Sequence, residues 1–350
     1  MSLSGNQVGA SPARRVTLGT VARLAGVSVP TVSRVLNGHS HVSSATRKRI
    51  QHLLDEHGYQ ARTPRAPAST GLIQVIFPGI DSGWEMEQIR GMEAVAQDAG
   101  VGLVISALGQ GPASPDEWRR WIRRGRIDGA ILAATSGRDL LSGMLTSVDI
   151  PVVALDPGTR TAAELPTVGA TNWSGALCAT RHLIALGHRR IGMITGWKGL
   201  LCSRARLDGY RAALDETGLP QDPGLIAWGD FSYGAGLAAA RRLLDVDSPP
   251  TAIVASSDNI ALGVIQAARL RGISVPGELS VTGFDDLPSS RWSSPPLTTV
   301  RQPLRDMGRL AARTVLRLAR GKTLDTPTRE LSTELIIRES TAPPPRRTRR

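Results

Sequence analysis

Apolar positions change their period along this chain, and the changes divide it. Up to residue 54 they recur every three or four residues, the spacing of amphipathic helices. The pattern predicts a helix over 18–25 behind Thr17 as N-cap, and a second over 29–36 behind Ser28, closed by Asn37 and Gly38. A third starts at Ser43 or Ser44, runs through Ile50, Leu53 and Leu54, and stops at Gly58. Gly26 marks the turn between the first two. Residues 62–70 then shift to Arg, Pro, Ala, Ser and Thr, with Pro64 and Pro67 three apart, the composition of a linker. Beyond Gly71, short aliphatic runs at 72–77, 101–107, 129–133, 152–155, 191–195, 252–255 and 279–283 alternate with helical patterns such as 86–98, 176–186, 207–217 and 260–271. This alternation predicts parallel, doubly wound sheets, and the number of units calls for two of them. Ligands in such sheets sit beyond the carboxyl ends of the strands. Residues 1–15 and 341–350 are small, polar or Pro-Arg-rich, and both are expected to be disordered tails.

At 350 residues the chain exceeds one ordinary domain. Hydrophobic content of 41% and a mean hydropathy of -0.09 fit a soluble globular protein, and no apolar run reaches the roughly 18 residues of a membrane span. With no apolar signal segment at the start, the expected location is the cytoplasm. Cys178 and Cys202 form neither a disulfide framework nor a set of metal ligands. The net charge of +12 is informative through its distribution. Residues 1–70 carry nine Arg or Lys against Asp55 and Glu56, the end adds Arg346, Arg347, Arg349 and Arg350, and the body between is nearly neutral. An arginine-rich composition would raise the charge evenly. A basic head on a neutral body instead suits a polyanion-binding module, because phosphate neutralisation supplies most non-specific DNA affinity.

Within the head, Ala22 is small enough for the helices to approach, Gly26 permits the turn, and Val21, Val27, Val32 and Val35 can share a core. A helix held this way presents its first residues to the major groove. Val29, Pro30 and Arg34 are therefore the expected base contacts: Arg34 can donate two hydrogen bonds to a guanine and Val29 can cover a thymine methyl. Thr17, Ser28, Thr31, Ser33, Asn37, His41 and Thr46 are suited to phosphate. The competing reading is a three-helix bundle whose polar face is only solvated.

Ala-Gly-Val-Ser at 25–28, Thr-Val-Ser-Arg-Val-Leu-Asn at 31–37, His-Val-Ser-Ser-Ala-Thr-Arg at 41–47 and Gly58-Tyr59 resemble the head of the LacI/GalR family of transcriptional regulators. The likeness continues in Leu-Gly-His-Arg-Arg-Ile-Gly at 186–192, Arg-Leu-Asp-Gly-Tyr at 206–210, Ser-Asp-Asn-Ile-Ala-Leu-Gly at 257–263, Gly-Phe-Asp-Asp at 283–286 and Leu-Thr-Thr-Val-Arg-Gln at 297–302. It covers about residues 16–340. It implies an N-terminal all-α helix-turn-helix head (16–61), a hinge linker (62–71) and an α/β two-lobed periplasmic-binding-protein-like body (72–340). The first lobe would hold 72–187 and 302–331, the second 188–301 and 332–340. The implied function is that of a repressor, a homodimer on double-stranded operator DNA, controlled by a small-molecule effector in the cleft, a sugar or oligosaccharide. One departure concerns the linker. The family's hinge-helix pattern is replaced by Arg-Thr-Pro-Arg-Ala-Pro-Ala at 62–68, where proline opposes a helix interior by about 3 kcal/mol. Arg62 and Arg65 are then expected to enter the minor groove as an extended arm.

The resemblance puts Arg206 and Asp285 at effector hydroxyls and Phe231 and Gln302 on the cleft wall, with Ser257 where an amide is common. Asp81, Ser82 and Trp84 follow the first strand and so belong at the cleft mouth, and Trp173 is a further aromatic candidate. Each has a structural alternative: Arg206 pairing with Asp208 or Asp230 on the surface, Asp258 as a helix N-cap, Asp285 or Asp286 capping a loop, Trp84 and Trp173 packing. Phosphate-loop, metalloprotease and hydrolase motifs are absent, and His39, His41, His52 and His57 lack zinc-site spacing, so neither an enzyme nor a cofactor or metal is expected. The other readings are a solute-binding protein of transport origin, an architectural DNA binder with a non-sensing body, and a sensor of a purine or other non-sugar metabolite.

Overall fold

Three short helices make the first of two compact units, residues 1–68, and two six-stranded sheets make the second, residues 69–350. The structure is a computed structural model that describes residues 17–36, 42–57, 70–107, 127–133, 150–158 and 165–345.

Helices α1 (Leu18–Ala25), α2 (Val29–Leu36) and α3 (Ser44–Glu56) form, α1 and α3 behind N-caps read from sequence. The Thr17 hydroxyl accepts the Thr20 amide at 3.3 Å, and that of Ser43 accepts the Thr46 amide at 3.3 Å. Helix α1 ends on Gly26 at φ 63°, the left-handed region, from which Val27 N–H reaches back to the Ala22 carbonyl at 3.0 Å. Val21, Ala22, Ala25, Val32, Val35, Ile50 and Leu54 close the core, with Val27 half-buried at its edge.

The body proceeds through β1 (Leu72–Phe77), α4 (Gly83–Ala99), β2 (Gly102–Ala107), β3 (Gly129–Ala133), β4 (Val152–Leu155), β5 (Thr167–Ala170) and α5 (Asn172–Ala185). It continues through β6 (Ile191–Thr195), α6 (Leu201–Glu216), β7 (Ile226–Trp228), α7 (Tyr233–Leu244), β8 (Ala252–Ala255), α8 (Asp258–Leu270), β9 (Ser280–Asp285) and α9 (Pro288–Trp292). The last elements are β10 (Thr298–Arg301), α10 (Leu304–Ala319), β11 (Thr328–Leu331) and β12 (Glu334–Ile336). One sheet has the order β11-β5-β4-β3-β1-β2 and the other β12-β10-β9-β8-β6-β7. Every pairing is parallel except β10 with β12. In each sheet the first strand has its successor on one side and the third on the other. This is the doubly wound switch point, beyond whose carboxyl end ligands bind.

All seven predicted strands form. The additional ones, β5, β7, β10, β11 and β12, are only three or four residues long, and β11, a largely exposed strand, and β12 lie at the sheet edges. Two expected boundaries are corrected. Helix α5 buries Leu177, Leu183 and Ile184 against Ile191, Met193, Leu207 and Tyr210 of the second lobe, so the first crossover lies near Thr171 and not at 187. The approach is close because Gly209 faces the carbonyl of Trp173, where any Cβ would overlap it. The chain recrosses between β10 and α10 and between β11 and β12. The body also extends past 340. The Ala342 carbonyl meets His188 Nε2 at 2.9 Å, and its amide donates to Ser280 Oγ at 3.0 Å, so the expected disordered tail does not begin at 341. Among the described residues no helix is long and apolar enough to cross a membrane.

Candidate functional site

Two surfaces carry the sequence-predicted chemistry. On the head, burying Val32 and Val35 turns the opposite side of α2 outward, and Val29, Pro30 and Arg34 are all exposed there. Around them hydroxyls pair off: Thr17 with Thr20 at 3.1 Å, Ser28 with Thr31 at 2.8 Å, Ser43 with Thr46 at 2.8 Å. In such a pair one O–H is donated inward and the other stays available to an outside acceptor, the form a phosphate oxygen requires. Ser33 is half-buried on the same helix. Asn37, His41, Arg62 and Arg65 lie outside the described residues.

On the body, the site is built from loops that leave the carboxyl ends of the strands. Arg206 projects from α6 and is 3% exposed, which excludes the surface pairing with Asp208 or Asp230. Its Nε donates to Asn172 Oδ1 at 2.8 Å, its Nη1 donates to the Ser256 carbonyl, and Nη1 stands 3.9 Å from Asp285 Oδ1. The guanidinium lies 3.7 Å from the ring centre of Phe284 and 5.8 Å from that of Phe231. Gln302 Nε2 donates to Asp285 Oδ1 at 2.6 Å, and Asn172 also hydrogen-bonds Asp156. Gln302 Oε1 and Ser256 Oγ are buried without a partner among the described residues. Unpaired buried polar atoms are costly, and in a folded protein they are met by water, an ion or a ligand.

Electrostatics sharpen the picture. Burial pushes the Asp285 carboxyl up to about 7, against the opposing pull of Arg206 and Gln302. Asp156 is raised by burial, opposed by Arg206 and Asn172. Asp258, held by the Leu287 amide at 2.7 Å and the Thr299 hydroxyl at 2.5 Å, is raised well above its ordinary value by burial and by the charge of Asp285. Asp286 goes the other way. Burial opposes its charge, but Arg338 at 2.5 Å and Arg301 at 2.8 Å outweigh it and hold the carboxyl below its ordinary range. Asp286 is a structural ion-pair hub, whereas Asp285 and Asp156 share one arginine. The backbone agrees: the described non-glycine residues at positive φ are Asp156, Phe231, Asp285 and Asp286, each at or just past the end of a strand. Such conformations cost about 1–3 kcal/mol and gather at functional sites.

Arg206, Asp285, Gln302 and Phe231 are thus brought together as expected, and Asp156, Asn172, Ser256 and Phe284 join them unpredicted. Asp156 was open to the rule used for Asp81, since it directly follows the strand 152–155. Asn172 was hidden because Thr-Val-Gly-Ala at 167–170 does not read as a strand. The other candidates are engaged differently. Ser257 caps α8, accepting the Ile260 amide and donating to the Phe231 carbonyl, both at 3.1 Å. It is Ser257, and not Asp258, that caps this helix. Ser82 forms a capping box with Glu85, Trp84 packs edge-on to Phe77 with centroids 6.4 Å apart, and Asp81 and Trp173 are exposed.

Residues 17–61 match the family described as bacterial regulatory proteins, lacI family, and residues 180–341 match the periplasmic binding protein-like domain. The chain is 35% identical over 329 residues to the HTH-type transcriptional repressor CytR of Escherichia coli (strain K12), spanning 93% of this chain and 96% of that protein. Its fold is similar to that of the transcriptional regulator CelR in complex with cellobiose (TM-score 0.73, 32% identity, 93% of this chain and 100% of that one). It is also similar to the Lac repressor dimer bound to operator and the anti-inducer ONPF (TM-score 0.70, 27% identity, 94% and 100%).

Proposed function

The chain belongs to the LacI family of bacterial regulatory proteins, and from that premise we propose that it is a cytoplasmic, homodimeric repressor released from, or fixed on, its operator by a saccharide. The observation that carries the reading is the Arg206–Asp285–Asp156 group with its unpartnered Gln302 and Ser256 oxygens, facing the crossovers between the two lobes. A sugar hydroxyl taken from water needs both a donor and an acceptor in exchange. The carboxylates of Asp285 and Asp156 and the amide oxygen of Gln302 accept, Arg206 and Asn172 donate, and the Phe231 ring covers a C–H face. The complexes of CelR with cellobiose and of the Lac repressor with operator support the same division of labour between body and head.

On DNA, Arg34 and Val29 read bases from the major groove while Thr17, Ser28, Thr31, Ser33, Asn37, His41 and Thr46 fix register on phosphate. Arg62 and Arg65 follow the minor groove. Two copies of the head on a pseudo-palindrome give the half-site spacing of a dimer. Effector and operator then bias one equilibrium, and a coupling of about 1–3 kcal/mol changes operator affinity roughly 5- to 150-fold. The test has two stages. Selection from random duplexes is expected to enrich an inverted repeat; no enrichment would favour an architectural binder. Thermal unfolding across saccharides and purines is then expected to show a shift with one saccharide class, lost in Asp285→Ala, since ligand at 100 times its Kd adds about 2.7 kcal/mol. A shift with purines alone would overturn the saccharide assignment.

A further inference from the structure

Aromatic residues of the second lobe stand around the buried polar group and in the loop that follows β6. Phe284 and Phe231 flank the Arg206 guanidinium. The Phe231 ring lies directly on the backbone of Gly196, where any Cβ would overlap it. The next residue is Trp197, in the loop between β6 and α6, and 53% of its surface is exposed. That loop lies against the opposite lobe: Leu201 N–H donates to the Gly158 carbonyl at 3.1 Å, two residues beyond Asp156. Its following residue, Lys198, places its ammonium 5.6 Å from the ring centre of Trp228, so the Trp228 face already has a partner. Trp197 has no ring or cation contact among those found for the described residues. The carboxyl end of a strand beside the switch point is where a doubly wound sheet takes its ligand, and the half-exposed Trp197 indole stands on the loop that leaves that end of β6.

We propose that Trp197 is an outer saccharide subsite, and that the effector is an oligosaccharide of at least two rings. The inner ring is held by Arg206, Asp285, Asp156 and Gln302, and the next ring is stacked on the Trp197 indole at the cleft mouth. The chemistry is complementary along this line. The buried end offers charged donors and acceptors to hydroxyls. The mouth offers an apolar face to the C–H side of a pyranose, which needs no hydrogen bond and tolerates water at the rim. This inference rests on the saccharide reading of the cleft and adds ligand length to it.

Calorimetric titration of the full-length protein with glucose, xylose, mannose and galactose, each beside its β-1,4-linked dimer and trimer, and with maltose and maltotriose, tests it. For the sugar that binds, the dimer is expected to bind about tenfold more tightly than the monomer, equivalent to about 1.4 kcal/mol. Trp197→Ala is expected to remove that increment and leave monosaccharide affinity unchanged, while Trp197→Phe retains most of it. Wild-type tryptophan emission should shift on binding the dimer, and less in Trp197→Ala. A monosaccharide that binds as tightly as its own oligomers, or an equal loss for both in Trp197→Ala, overturns the outer subsite and leaves the sensor standing. No binding by any saccharide overturns both.

Discussion

Replacing Asp285 by Asn removes a charge with almost no change of shape, and the structure sets the size of the effect. The wild-type carboxyl is buried and displaced from an ordinary 3.8 to about 7. At about 1.4 kcal/mol per pH unit, ionising it costs the folded state about 4 kcal/mol. Because the folded carboxyl binds its proton more tightly than the unfolded one, stability falls as pH rises from about 4 to about 7 and is level above. The Asn variant lacks that slope. It also deprives Arg206 of one of two acidic neighbours, although the Ser256 carbonyl, Asn172 and the Phe284 face remain. The gain is then about half the cost, roughly 2 kcal/mol at pH 8, or a Tm rise of about 4–8 °C for a body of this size. By pH 5 the advantage should be gone, since most of the wild-type penalty has been relieved by protonation. Thermal unfolding of both proteins at pH 5, 6, 7 and 8 reads the difference, to which Asp258 also contributes because it loses the Asp285 charge, while groups remote from the site cancel. An Asn variant no more stable at pH 8, or a difference indifferent to pH, would refute the reasoning. The same substitution should abolish the ligand-induced shift, because it removes the carboxylate proposed to accept a sugar hydroxyl.

Arg206→Met should be destabilising by about 3–5 kcal/mol at pH 8, since it leaves Asp156 and Asp285 buried without their cation; urea unfolding measures it, and an unchanged midpoint would count against a shared ion pair. Arg34→Ala should lose about 1–3 kcal/mol of discrimination at one base position, whereas Ser33→Ala should weaken binding to all sequences alike; equal effects in a binding-site selection would argue against the assignment. Gly26→Ala meets no steric neighbour but must hold φ 63°, so the head should lose about 1–2 kcal/mol, seen as faster proteolysis of residues 17–57.

What the sequence determined by itself is whatever depends on neighbours along the chain. Thr17, Ser43 and Gly26 are local hydrogen-bonding and backbone devices, so the bounds of α1 and the start of α3 were legible, as were strands such as β1, β3 and β6, whose buried aliphatic runs are set off by glycine and charged residues. The family motifs also marked Arg206 and Asp285. The tertiary structure decided what those residues became. Nothing at 206 says that its guanidinium is buried against Asn172 from one crossover, Ser256 beyond β8 and Phe284 within β9, because these partners are 34, 50 and 78 positions away. The same holds for two adjacent aspartates. Asp285 and Asp286 are adjacent and chemically identical, and no motif says how each ionises, yet one is desolvated beside a shared arginine and rises to about 7, while the other meets Arg301 and Arg338 and falls. A cap is settled by the next turn of chain, but the charge state of a buried carboxyl is settled by burial and by long-range partners, and only the folded chain assembles those.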